Sequence, residues 1–383
     1  MVKYLGMAAL AAAMSSASFA DVNINGFASI KAGATTGSND SLYGYDDSFD
    51  MKNESLFAIQ VQSDLGDDLS VTGQLLGRGV DDFDVDFEWA FLTYDFDDQT
   101  SISAGRLRTP FFQYSDFLDV GYAYDWMRPP QSVYGLGFEN IEGLTLYRTG
   151  QIGGFESSLQ FVFGNYDSEI QFSGTEIDAK IDSITGASWT LSQGSLSGRV
   201  AYLVGETTFQ TDPVELAPGF SFGNLFAALN QAGLSGLVSG LDIQEEDSSF
   251  LGFGLTYDSA NWIIVSEFTR VEVENSFVAE QDSYYLSVGR RFGSLTPYLS
   301  YEKDDNEAQT DIYAGFQTVL PAQVFVPVKA LVDSQKSETE TWNAGFRYDF
   351  HPSAAFKAQY TEQDNQLTGN RRSLLSVGVD LVF

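Results

Sequence analysis

The sequence predicts an all-β chain, a transmembrane sixteen-stranded antiparallel barrel whose third loop folds into the pore. Three observations lead there. Apolar and polar residues alternate with period two through sixteen segments. The connections between those segments are short and long in strict turn. No apolar stretch beyond the first twenty residues reads as a spanning helix, because Leu216–Leu241 holds Pro218, Asn224, Asn230 and Gln231, and Pro321 and Pro327 interrupt Ile312–Val328.

Residues 1–20 have the form of a secretory leader. Lys3 gives a positive start, "YLGMAALAAAM" a short apolar core, and Ser18-Phe19-Ala20 small residues at −3 and −1 of a cut before Asp21. The core is too short to span a bilayer, so cleavage is expected and residues 21–383 form one barrel domain.

The strands are expected at 22–36, 53–64, 68–78, 84–96, 99–109, 141–150, 155–164, 178–192, 196–206, 248–258, 262–273, 282–292, 295–304, 339–350, 355–363 and 372–383. The last is the clearest: Leu375, Val377, Val379, Leu381 and Phe383 share one face, Ser376, Gly378 and Asp380 the other. Tight turns are expected near Gly66, Asp97-Asp98, Gly153-Gly154, Gly194, Ser259-Ala260, Gly293 and Pro352. Longer connections include Pro110–Asn140, Asn165–Glu176, Thr207–Asp247 and Asp305–Glu338. A soluble sandwich has no reason to sort its connections this way, whereas a membrane barrel keeps one end short and lets the other grow. The polar faces, rich in Ser, Thr, Gly and Gln, suit a wet lumen.

Composition removes other classes. With 20 Lys+Arg against 53 Asp+Glu, a net charge of −33 leaves no basic surface to displace counterions from phosphates, so nucleic acid is excluded as a partner. The absence of Cys removes disulfide frameworks, thiolate metal sites and Cys nucleophiles. The single His, His351, precedes Pro352 in an expected tight turn, far from where a barrel hydrolase would need it. No catalytic residue and no cofactor is expected.

Together the leader, the sixteen-strand scheme, the terminal Phe383 and the long loop after "AGRLRTP" resemble the general porins of the Gram-negative outer membrane over essentially the whole processed chain. The resemblance implies a homotrimer of water-filled barrels in outer-membrane lipid, each narrowed by its third loop, passing small hydrophilic solutes by diffusion. It also implies that the barrel-assembly machinery reads the terminal aromatic. Acids on the inserted loop would then face basic side chains on the wall. The short acidic Gly-Gly turn of the best-known porins is missing from "PFFQYSDFLDVGYAYDWMRPPQSVYG", which leaves Asp116, Asp119 and Asp125 as candidate loop acids.

On the wall, Arg106 and Arg108 have i, i+2 spacing and are expected to point together into the lumen, since two arginines facing lipid at mid-depth would cost roughly 2–4 kcal/mol each. The competing reading is a local ion pair near the headgroups. Arg78, Lys31, Arg199 and Arg347 share parity with polar neighbours and join the candidates, against the alternative of rim salt bridges without effect on transport. The aromatics Phe111, Phe112, Tyr114, Phe117, Tyr122, Tyr124, Trp126 and Tyr134 could form a sugar track, but loop anchoring is the stronger reading. Acid clusters at Asp46-Asp47-Asp50, Glu245-Glu246-Asp247 and Asp304-Asp305-Glu307 are assigned to outer loops as solvated charge, bridged to lipopolysaccharide by divalent ions rather than forming a defined metal site. Residues 225–241 have the spacing of a short apolar helix that needs cover, in the barrel mouth or on a neighbouring subunit. The expected function is a general diffusion pore. A sugar-specific channel on the same barrel is the alternative within transport, and an adhesin, envelope tether or barrel hydrolase the alternatives outside it.

Overall fold

A computed structural model describes residues 22–383 apart from 173 and 319–321, so the leader lies outside the described residues. Sixteen strands close into one antiparallel barrel: β1 (Val22–Thr35), β2 (Leu56–Gly66), β3 (Leu69–Arg78), β4 (Val85–Asp97), β5 (Thr100–Arg108), β6 (Asn140–Ile152), β7 (Phe155–Phe172), β8 (Thr175–Gln193), β9 (Leu196–Phe209), then β12 (Glu246–Asp258), β13 (Trp262–Val273), β14 (Glu280–Arg290), β15 (Leu295–Glu307), β16 (Ser337–His351), β17 (Ala354–Asn365) and β18 (Asn370–Val382). Two short strands, β10 (Glu215–Ala217) and β11 (Phe220–Ser221), pair outside the barrel within a long loop. Closure comes from β1 pairing β18, with Phe27 opposite Val382, and Gly26 and Phe383 exchanging backbone hydrogen bonds of 2.8 and 2.9 Å. A closed ladder leaves no edge and no unpaired backbone toward lipid.

The expected alternation appears as two surfaces. Ile24, Phe57, Val61, Phe163, Tyr202, Leu255, Leu299, Trp342 and Leu375 stand exposed on the outside. Ser29, Gln74, Ser188, Ser287, Ser300, Asn343, Gln359 and Ser376 are buried on the inside. At the short-turn end the hairpins use left-handed pairs: Asp67 and Asp68 have φ of 52° and 62°, Gly153 and Gly154 of 58° and 86°. Those values match the primed turns whose twist suits a two-residue hairpin.

The expected loop Asn165–Glu176 is instead strand. β7 and β8 continue as a ladder to Phe172 opposite Thr175, past irregularities between Gly164 and Tyr166 and between Asp182 and Thr185. The inner face of this extension carries Ile177 and Ile181, buried, with Ile170 and Phe172 partly buried beside them. Apolar burial makes an extended hairpin preferable to a solvated loop there. The cover for the 225–241 segment comes from this same chain. A helix at Phe222–Gln231, capped by Ser221 and Asn224 in a reciprocal box, and a turn of helix at Ser235–Val238 bury Phe222, Leu225, Leu229 and Leu237. Tyr313, Val328 and Val332 of the loop after β15 and Phe277 of the loop after β13 close that cluster. The acids Asp304, Asp305 and Glu307 belong to β15, and Glu246 and Asp247 to β12, so both groups sit at strand ends and not in loops as expected.

Candidate functional site

The loop between β5 and β6, Thr109–Glu139, lies inside the barrel. Burial of Phe111, Phe112, Tyr124, Trp126 and Tyr134 anchors it against Phe250, Val265, Tyr285 and Tyr298 of the wall. Trp126 meets Tyr285 edge-on at 5.6 Å between ring centroids, and its indole N–H donates to Ser287 Oγ at 2.8 Å. Except for Phe117, which is half exposed, and Tyr122 at the surface of the loop, these aromatics form a packed core or its edge, not an open track.

Wall cations secure the loop through its backbone. Lys31 Nζ donates to Met127 O at 2.5 Å, Arg199 to Pro110 O and Phe111 O at 2.5 and 2.8 Å, and Arg347 to Tyr122 O at 2.7 Å. Lys357, fully buried, donates to Gly121 O and Trp126 O at 2.6 and 2.8 Å and pairs with Asp380 at 2.8 Å. Wall acids take the loop's donors. Glu267 accepts from Gln113 N at 2.6 Å and from the hydroxyl of Tyr134, and Glu302 accepts from Ser132 N at 3.2 Å. Loop residue Arg128 forks onto Glu54 with two bonds of 2.7 Å. Bidentate, charge-assisted bonds of this kind are the strong ones.

A charged junction forms where the loop meets β3, β4 and β5. Arg78 donates to Asp119 Oδ1 at 2.8 Å and to Glu88 Oε2 at 3.0 Å. Arg108 donates to Asp119 Oδ2 at 2.7 Å and to Glu139, and lies 3.3 Å from Glu88. Burial works against charging Asp119, yet the two guanidiniums hold its carboxyl below the usual carboxylate range. Burial pushes Glu139 the other way, up to about 7; Arg108 opposes that rise and the neighbouring Asp119 charge adds to it. The three acids bring carboxylate oxygens within 4.8 Å of one another, but two guanidiniums already occupy them and leave no room for a cation.

The structure separates the two arginines expected to point together. Ser101 and Ser103 face the lumen, Ala104 and Arg106 the outside, where Arg106 pairs with Glu142 across the ladder at 2.7 Å. Arg108 reaches the interior because it ends β5, where Thr109 and Pro110 turn the chain inward and its guanidinium folds over Trp89. The expectation for Arg106 is therefore corrected: it makes a local ion pair on the outer face, near a strand end where the lipid cost falls to about 0–1 kcal/mol. Of the loop acids, Asp119 is bound at the junction and Asp125 lies 3.9 Å from Arg347. Asp116 makes no ion pair among the described residues and faces lumenal space. Sequence reasoning missed Lys357 and Glu302, although each shares parity with polar neighbours on its strand, and Glu267, whose same-face neighbours Ile263, Val265 and Val271 are apolar. It had no signal for Glu88, which enters the lumen beside Trp89 only because the β3–β4 register shifts between Phe87 and Trp89.

Below the loop, toward the short turns, lies a cavity of about 840 Å³ lined by Gln60, Gln74, Thr93, Ser103 and Gln160 together with Phe117 and Asp116. A closed barrel divided by such a loop agrees with the family comparison, in which the model for Gram-negative porins matches residues 6–368. The chain belongs to the Gram-negative porins. This porin is an outer-membrane channel crossing the bilayer many times as strands. Solved structures share its fold. The outer membrane channel DcaP of Acinetobacter baumannii aligns over 96% of this porin and 99% of its own chain at 14% identity, TM-score 0.61. The anion-selective porin from Comamonas acidovorans aligns over 95% and 100% at 12% identity, TM-score 0.57. OmpF of Salmonella typhi aligns over 95% and 98% at 12% identity, TM-score 0.54. Identities this low speak to the fold alone. No curated protein sequence matches this porin.

Proposed function

We propose that the processed chain, 21–383, assembles as a homotrimer in the outer membrane and passes small hydrophilic solutes and ions by passive diffusion. The observation that carries this reading is the lumenal cavity beside the inserted loop, where Gln60, Gln74, Thr93, Ser103 and Gln160 share the lining with apolar groups such as Phe91 and Leu107, with the Arg108 guanidinium engaged by the loop acids, and with the Asp116 carboxylate. Such a lining hydrates a solute without binding it tightly, so width sets the size limit and fixed charge biases ions. The wall cations Arg78, Arg108, Lys31, Arg199 and Arg347 act in this reading as fasteners of the constriction loop more than as free charges, since each already holds a loop carbonyl or carboxylate. Asp116 and the acidic rim then give a cation preference that salt weakens, because screening acts over about 8–10 Å at physiological ionic strength. Outer-end carboxylates such as Asp46, Asp47 and Asp50 would meet lipopolysaccharide through divalent ions, and the barrel-assembly machinery would read Phe383. The test is single-channel recording in planar bilayers under a salt gradient. Stepwise ohmic currents with a cation-favouring reversal potential support the reading. A protein that seals the bilayer without any current overturns it.

A further inference from the structure

Part of the lumenal wall is apolar where a solute path should be wet. Between the inserted loop and strands β7, β8, β9, β12 and β13 lies a cavity of about 290 Å³ walled by Phe138, Tyr166, Ile181, Ile184, Leu203 and Phe250. No Lys, Arg, His, Asp or Glu lines it among the described residues, in a chain of net charge −33. Two of its hydroxyls already have partners: Thr207 donates to Ser248 Oγ at 2.9 Å and Ser248 to Gly205 O at 2.9 Å. Water gains nothing in such a space, whereas an apolar body of matching size does. A dry cavity of about 150 Å³ with comparable walls accepts a single benzene ring, so this one has room for a fused bicycle.

The cavity has a polar neighbour. A second space of about 320 Å³ shares Leu136, Val271 and Gln281 with it and is lined by Thr269, Ser283, Asp304, Thr339 and Thr341. It too lacks any basic side chain among the described residues, and it holds the Asp304 carboxylate. A negatively charged head would be repelled there, while a hydroxyl finds acceptors.

We propose that the paired cavities bind a small uncharged amphiphile, an aromatic body in the apolar chamber and a hydroxyl head at Gln281. The porin would thus retain one class of apolar solute that a purely hydrophilic pore excludes.

Photolabelling tests this on the unmodified protein in proteoliposomes, with an aryl-diazirine benzyl alcohol as probe and 2-naphthol or 2-naphthoate as competitor. Adducts are expected on Phe138, Tyr166 or Leu203, suppressed by 2-naphthol and much less by 2-naphthoate. Ala179→Leu, which fills the apolar chamber from β8, should weaken 2-naphthol competition about tenfold, the loss expected for about two methylene groups of buried contact. If that variant fails to assemble, the map on the unmodified protein decides alone. Adducts confined to outward residues such as Tyr202, Phe253 and Leu255, or adducts that 2-naphthol does not suppress, overturn the proposal, and equal competition by 2-naphthoate overturns its choice of head group. Labelling needs no current through the pore, so its outcome is independent of the conductance test above.

Discussion

Arg78 reaches into the lumen from the end of β3 to place a guanidinium nitrogen 2.8 Å from Asp119 Oδ1 on the inserted loop. Arg108 takes the other oxygen at 2.7 Å, so one carboxylate ties the loop to two strands. The barrel ladder does not depend on that carboxylate, but the position of the loop does. Asp119→Ala should therefore leave a closed, heat-modifiable barrel while loosening residues 109–139. Removing one partner of a buried ion cluster costs about 3–5 kcal/mol, and the loss should fall on the loop. Hydrogen exchange is the check: faster exchange limited to that loop is expected, and uniform protection would show that its aromatic core alone holds it.

The same junction sets a pH dependence. Asp119 has a depressed value when folded, so its contribution is present above the unfolded carboxylate range near pH 4 and is lost as pH falls further. Glu139 is raised to about 7, so its contribution is full below its unfolded value near 4.3 and is lost as pH climbs through 7. The loop should accordingly be held most firmly near pH 4, becoming looser as pH climbs toward 7 and again as pH falls below the carboxylate range. Opening noise in single-channel records against pH reads this directly. Glu139→Gln should flatten the limb between about pH 4 and 7 and leave the acid limb in place.

Lys357 makes a second, independent fastening. Its ammonium is fully buried and divides its hydrogens among Gly121 O, Trp126 O and Asp380. Lys357→Met keeps the volume and leaves the Asp380 carboxylate short of its close partner, a loss of about 3–5 kcal/mol. The double change Lys357→Met, Asp380→Asn should recover much of it. Urea resistance of the purified barrel measures both, and equal losses in the single and double variants would mean that the charge pair is not what matters.

These residues mark where the sequence could be read. Period two gave all sixteen barrel strands, and the terminal strand with its apolar face from Leu375 to Phe383 needed no further information. Parity also selected Lys31, Arg78, Arg199 and Arg347, which all point inward. It failed where the backbone leaves the regular pleat. Arg108 escapes its parity at a strand end, Glu88 through a register shift in β4, and both depend on contacts with neighbouring strands and the inserted loop. The β7–β8 extension reads as loop in the sequence because its polar residues Asn165, Asp167, Ser168 and Glu169 outweigh Ile170 and Phe172 locally. The helix at Phe222–Gln231 and Phe277 of the loop after β13, both distant in sequence, supply apolar surface that favours strand there.

Charge selectivity separates Asp116 from the arginines. Asp116→Asn removes the unpaired loop carboxylate beside the 840 Å³ cavity and should shift the reversal potential toward neutrality in dilute salt. Arg106→Gln should leave it unchanged, because that side chain pairs with Glu142 on the outer face. A shift in the Arg106 variant as large as in the Asp116 variant would place Arg106 in the solute path and contradict the register of β5.

Phe383 packs at the seam where the barrel closes. Its ring stacks on Phe57 at 5.8 Å between centroids, and its backbone exchanges two hydrogen bonds with Gly26. The ring also occupies the space over Gly26, where an added Cβ would sit 2.3 Å from Phe383 Cζ. Two changes therefore attack one contact from opposite sides. Phe383→Asp puts a carboxylate on an outward apolar surface and removes the stacking, worth about 0.5–1.5 kcal/mol beyond area. Gly26→Leu keeps the terminal aromatic intact but forces its ring away. If Phe383 acts only as a recognition signal during assembly, the Phe383 variant alone should lose folded material in the outer membrane. If it also closes the first strand onto the last, both variants should assemble poorly, and whatever Gly26→Leu barrel does form should unfold on gels at a lower temperature than the unaltered protein. Normal yield and normal heat resistance in the Gly26 variant would confine Phe383 to the signalling role.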